Sequence, residues 1–170
     1  FRNLLACIIL IPLLYSSELT SFRMRNPRLF VWRAIFVSIG MFAGFSALTL
    51  IPLAQATAIS FTTPIFVTIL AIFIFGEVIK LRRIAAVLVG FIGMLVIVQP
   101  GGEVISFGII LAFVGAFFHS LNLLTVKKLT AYETANSIIV WMVIMLVPIS
   151  FIPAILVWEW PSAITWLYLW

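Results

Sequence analysis

The stretch "SFTTPIFVTILAIFIFGE", residues 60–77, is apolar along most of its length, yet it carries Pro64 in its middle and holds back its one acid, Glu77, to the end. With the preceding "LAQATAI" it forms a hydrophobic run over 53–76, long enough to cross a bilayer as one helix of about 20 residues. The midpoint of that helix falls near Pro64, so the proline lies near the bilayer centre. Proline has no N–H, and its ring presses on the carbonyl four residues earlier, here that of Ser60. An unsatisfied carbonyl in hydrocarbon costs several kcal/mol, so this one needs water, a hydroxyl or a solute. Thr57, Ser60, Thr62 and Thr63 surround it. Two readings follow: a kink healed by neighbouring hydroxyls, or a solute contact of the kind found where helices break at the midplane.

The rest of the chain supports a membrane setting. Of its 170 residues 65% are hydrophobic and only 9% charged, and its mean hydropathy is +1.31. A soluble domain carries about 25% charged residues. Apolar runs separated by short polar segments predict seven helices, at about 3–16, 30–50, 53–76, 82–99, 104–127, 134–157 and 162–170. The first and last are too short to span unaided. The chain starts at Phe1 and ends at Trp170 within an apolar run, which reads as part of a longer polypeptide. Cys7 is the only cysteine, so no disulfide within the chain and no cysteine-based metal site is expected.

The net charge of +5 invites a nucleic-acid reading, but the basic residues lie in small groups between apolar runs. Arg23, Arg25, Arg28 and Arg33 group around the first loop, Lys80, Arg82 and Arg83 around the third, and Lys127 and Lys128 around the fifth. Nine of the ten basic residues therefore fall on one side of the membrane, which the retention of Lys and Arg makes the cytoplasmic side. The intervening loops, around Pro52, "QPGGE" and "VWEWPS", contain neither residue and face outward.

Small residues recur at helical spacing: Gly40 with Gly44, Ala86 with Gly90, and Gly108, Ala112, Ala116 and Ser120. Such rows let helix backbones approach closely. Ordinary packing explains them, and a sliding surface for conformational change is the alternative, so Gly40, Gly44 and Gly90 are candidate structural or gating positions. Glu77 belongs with them. Near the interface it reaches water and Lys80, Arg82 or Arg83, where a charge costs far less than at the centre of a span.

The stretch "ALTLIPLAQATAISFTTPIFVTILAIFIFGE" followed by "LRRIAAVLVGFIGMLVIVQPG" resembles the EamA-like branch of the drug/metabolite transporter superfamily. The matching features are an alanine-rich helix start, a mid-helix proline, Gly76-Glu77 at the helix end, and a glycine-bearing helix that closes on Pro100-Gly101. "FRNLLACIILIPLL" is similar to the family's second helix, with Arg2 in the matching place. The sequence departs from the pattern at "RRIAAVLVG", where the family often has a glycine near Ala85 or Ala86. The resemblance implies an all-α, polytopic bundle built as ten helices in two inverted repeats. Residues 1–101 would then be helices two to five of the first repeat, and 102–170 the start of the second.

The implied activity is alternating-access transport of a small organic metabolite, such as an amino acid or a derivative, across the inner (plasma) membrane. Candidate solute-binding residues are Ser60, Thr62, Thr63 and Pro64 at the break, His119 and Asn122 on one face of the fifth span, and Arg2 and Asn3 at the outer side. His119 is the only histidine, and an ionisable group in a span is a functional candidate by default. Imidazole can exchange a proton near neutral pH, whereas a neutral histidine bonded to a neighbouring helix would look the same in sequence. The partners are the lipid bilayer and a small-molecule solute. Protons or a counter-substrate are candidate coupling species, a homodimer is a candidate assembly, and nucleic acid is not a partner.

No catalytic centre, cofactor or metal site is legible. Ser120 follows His119 directly, and adjacent helical residues point about 100° apart, which does not pair a nucleophile with its base. The chain contains no aspartate, and no HExxH, GxSxG or phosphate-loop pattern occurs. A non-transporting membrane scaffold and an intramembrane enzyme are the competing classes.

Overall fold

The computed structural model describes residues 25–76, 78, 81–98 and 106–156. Arg2, Asn3 and Glu77, together with the two short terminal helices expected at 3–16 and 162–170, lie outside the described residues. Among the described residues there are six helices: α1 (Pro27–Leu50), α2 (Leu53–Ser60), α3 (Thr63–Phe75), α4 (Leu81–Val98), α5 (Phe107–Leu129) and α6 (Ala135–Leu156). Among the described residues there is no strand, and the architecture is an all-α membrane bundle. Among the described residues three segments are long and apolar enough to cross a membrane: Pro27–Leu50, Leu53–Phe75 and Phe107–Leu129.

Prolines and one glycine set the helix ends. Pro27 occupies the first position of α1, where its missing N–H would have no helical partner anyway. At the other end Ile51 is extended (φ −132°, ψ 153°), as suits a residue before proline, and Pro52 precedes α2. Gly76 closes α3 with φ 63°, a left-handed conformation that suits glycine, and its N–H donates to the Ile72 carbonyl at 2.9 Å.

The span expected as one rod over 53–76 is two helices. Phe61 and Thr62 form a tight turn, with Phe61 N–H donating to the Ala58 carbonyl and Thr62 N–H to the Ile59 carbonyl. Pro64 then stands in the first turn of α3, where proline is tolerated. Ile65 and Phe66 both donate to the Thr62 carbonyl. Ser60 and Phe61 thereby lose the donors that a continuous helix would return to their carbonyls.

α1 and α5 run antiparallel in close contact. Phe30 meets Leu129 at one end, and Gly108 lies against Leu50 and Ile51 at the other. Between them a methyl built on Gly115 would lie 3.2 Å from the Gly44 backbone nitrogen, and one on Gly40 would lie 3.5 Å from the Gly115 carbonyl oxygen. Glycine at these positions brings the backbones together. Ala47, Ile51, Ala56, Ile59 and Ala112 form the core beside them. Gly90 does no such work: a methyl there would meet nothing within 4 Å.

Lys127, near the end of α5, sits 5.0 Å from the ring centroid of Phe75 at the end of α3. Arg25 donates its backbone N–H to Glu133 Oε1 at 2.6 Å, joining the start of α1 to the α5–α6 turn. The start of α1 and the ends of α3 and α5 therefore share one end of the bundle. Many large apolar side chains, among them Trp32, Phe42 and Phe45 on α1, are exposed on the outside. Lipid is the environment that suits such a surface.

Candidate functional site

A cavity of about 750 Å³ opens between α1, α2, the start of α3, α5 and α6. Its shape follows from the break and the glycines. Gly40 and Gly44 keep the α1 wall low, and a methyl on Gly44 would meet nothing within 4 Å. α2 contributes Ala56, Thr57 and Ser60, the turn contributes Phe61, and α3 contributes Thr63 and Pro64. Ala112, Gly115, Ala116, His119 and Asn122 line it from α5, and Met142 from α6.

The polar residues on this wall divide into occupied and available groups. Ser60 Oγ donates to the Ala56 carbonyl at 2.9 Å, and Thr57 Oγ1 to the Ala54 carbonyl at 2.9 Å. These hydroxyls are engaged by their own helix, as is common for Ser and Thr. Thr62, 2% exposed, is not a lining residue; its Oγ1 donates to the Ile59 carbonyl at 2.7 Å. Among the described residues the Thr63 hydroxyl, the His119 imidazole and the Asn122 amide nitrogen take no protein partner. Ser60, Thr63, Pro64, His119 and Asn122 thus share one cavity. Thr62 turns inward to the helix junction, and Ser120, buried on α5, donates to the Phe117 carbonyl at 2.6 Å.

A residue that sequence reasoning grouped with the basic residues around the first loop stands beside this cavity. Arg33 lies inside α1, six residues past its start and so roughly 9 Å along the axis. It is only 8% exposed. Nε donates to Asn122 Oδ1 at 3.2 Å, one terminal nitrogen to the Ile138 carbonyl at 3.2 Å, and the other to Met142 Sδ at 2.9 Å. One side chain therefore ties α1 to α5 and α6. All three acceptors are neutral, and among the described residues Arg33 has no carboxylate partner. Its grouping with Arg23, Arg25 and Arg28 masked it, because helix α1 starts at Pro27 rather than at the expected residue 30. The available signal was the apolar run "LFVWRAIFV", in which the arginine already sits at helical depth.

Gly90 borders a smaller crevice of about 440 Å³ between α3 and α4, together with Ala86 and Thr68. Thr63 and Pro64 border both spaces. Trp141 packs against the cluster of Phe30, Leu129 and Ile138.

A model of the EamA-like transporter family matches residues 1–99. The chain is 30% identical over 140 residues to a riboflavin transporter of Rhizobium johnstonii, covering 82% of this chain and 46% of that protein. It is 28% identical over 163 residues to an S-adenosylmethionine uptake transporter of Rickettsia prowazekii, covering 96% of this chain and 55% of the relative. A riboflavin transporter of Vibrio cholerae is 30% identical over 120 residues. The chain spans about half the length of these relatives, all of which are named as transporters rather than enzymes. No solved structure matches the chain significantly.

Proposed function

The chain belongs to the EamA-like transporter family, and from that premise we propose that it forms the solute-binding part of a secondary transporter for a small organic metabolite. The observation that carries the reading is the cavity of about 750 Å³ placed where the Leu53–Phe75 span breaks. That volume lies within the roughly 300–1,000 Å³ range of small-molecule sites. Broken spans at midplane depth are where such transporters bind their solutes.

In this reading residues 1–101 belong to a first repeat and 102–170 to a second, and alternating access moves one against the other. The end of the bundle that holds the start of α1 and the ends of α3 and α5 faces the cytoplasm, and the protein resides in the inner membrane. The relatives' names supply two solutes to try first, riboflavin and S-adenosylmethionine. Amino acids and their derivatives follow. Protons are a candidate coupling species, with His119 the exposed titratable group on the cavity wall.

The test is uptake of labelled riboflavin, S-adenosylmethionine and amino acids by proteoliposomes holding the complete gene product, with and without a proton gradient. Saturable uptake that the substitution Gly44→Leu abolishes supports the reading. Absence of uptake for every solute favours a non-transporting scaffold.

A further inference from the structure

Arg33 imposes an orientation on Asn122. A guanidinium N–H can only donate, so the atom of the Asn122 amide at 3.2 Å from Nε must be the carbonyl oxygen and not the nitrogen. The two N–H bonds of the amide are left over. Asn122 is only 8% exposed and borders the cavity, yet its nitrogen has no partner among the described residues. A donor on the cavity wall that the protein itself does not use is open to an acceptor that enters the cavity. The bond from a cation also polarises the amide and strengthens its remaining donors.

We propose that Arg33 is a positioning residue for solute recognition, locking Asn122 so that its amide N–H groups receive a carbonyl or carboxylate oxygen of the transported solute. This rests on the transport reading of the cavity and adds a specificity to it. The α5 wall selects for hydrogen-bond acceptors. Arg33 itself is shielded behind Asn122 and Met142, so its positive charge acts through the amide rather than by contact. Thr63 also borders the cavity, and its hydroxyl can adapt as donor or acceptor.

Asn122→Asp separates recognition from structure. The aspartate has the same shape and keeps the bond to Arg33, now as an ion pair, but it presents an acceptor to the cavity where a donor stood. In the complete gene product, thermal stability is expected to be unchanged or higher. The apparent KM for riboflavin, whose ring carries carbonyl oxygens, and for S-adenosylmethionine, which carries a carboxylate, should rise about tenfold or more. Arg33→Lys keeps the charge but not the fork of donors. It should raise the same KM by a smaller factor while Vmax holds.

Wild-type uptake with an unaltered KM in Asn122→Asp would overturn the proposal and leave the transport reading standing. A wild-type protein that moves none of riboflavin, S-adenosylmethionine and the amino acids would sink the transport reading and this inference with it. A double-substitution cycle on thermal stability, using Arg33→Ala and Asn122→Ala, gives a check independent of transport: the two changes must be non-additive. Additive effects would show that Arg33 does not hold the amide.

Discussion

Gly44 and Gly115 lie on opposite sides of one helix crossing, and the same substitution should act in opposite directions at the two. Replacing glycine by alanine inside a helix stabilises it by about 0.8–1 kcal/mol from backbone propensity. At Gly44 the new methyl meets nothing within 4 Å, so that gain stands. At Gly115 it lies 3.2 Å from Gly44 N and 3.4 Å from both Gly40 O and Gly44 Cα, all backbone atoms that no rotamer change can move.

The helices must separate there by a few tenths of an ångström, and overpacking of this sort costs about 1–3 kcal/mol. Net of the propensity gain, Gly115→Ala should destabilise by roughly 0–2 kcal/mol, which leaves it about 1–3 kcal/mol below Gly44→Ala. At about 2–4 °C per kcal/mol, the two melting curves should be visibly apart. Tryptophan fluorescence during heating of the complete gene product in detergent reads the difference. A Gly115→Ala protein that melts as high as Gly44→Ala would refute the close α1–α5 contact and the argument built on it. Gly44→Ala also places a methyl in the cavity, so uptake should fall in that variant without loss of stability.

Other substitutions test the break and the wall. Pro64→Ala restores an N–H for the Ser60 carbonyl and lets α2 run into α3; melting temperature should hold or rise while Vmax for uptake falls several-fold. Thr62→Val and Thr63→Val are a matched pair, since the first hydroxyl is bonded within its own segment and the second belongs to a residue that borders the cavity. Only Thr63→Val should change KM in the uptake assay. Gly76→Ala should destabilise by roughly 1–2 kcal/mol through its left-handed conformation, and Gly76→Asn by less, as thermal melting would show. His119→Gln removes a titratable group from an exposed wall position; stability should be unchanged, and any response of uptake to a proton gradient should disappear.

The break at Pro64 was legible because its cause is local. Proline lacks a donor whatever surrounds it, and the Ser60 carbonyl four residues earlier loses its partner by chain chemistry alone. Arg33 was not legible in the same way. Its sequence neighbours are other arginines at a helix start, and grouping by charge ties it to the loop before the helix rather than to the interior. Its partners come from residues 122, 138 and 142, roughly a hundred positions along the chain, and no spacing rule connects them. The difference between Thr62 and Thr63 was equally out of reach, since it depends on where the turn at Phe61–Thr62 ends and α3 begins.

That this chain lives in a membrane, how many apolar runs it has and roughly where they end, and that one of them is interrupted by proline can all be read from its residues. Those properties follow from composition and from chemistry within a few residues. Which faces of the helices meet is a matter of packing between distant segments. In a soluble protein a polar stripe would have shown the outer face, but a helix in lipid is apolar all round, and small residues facing a neighbour look like small residues facing a cavity. The buried Arg33, the amide it fixes and the wall they form exist only once α1, α5 and α6 are brought together.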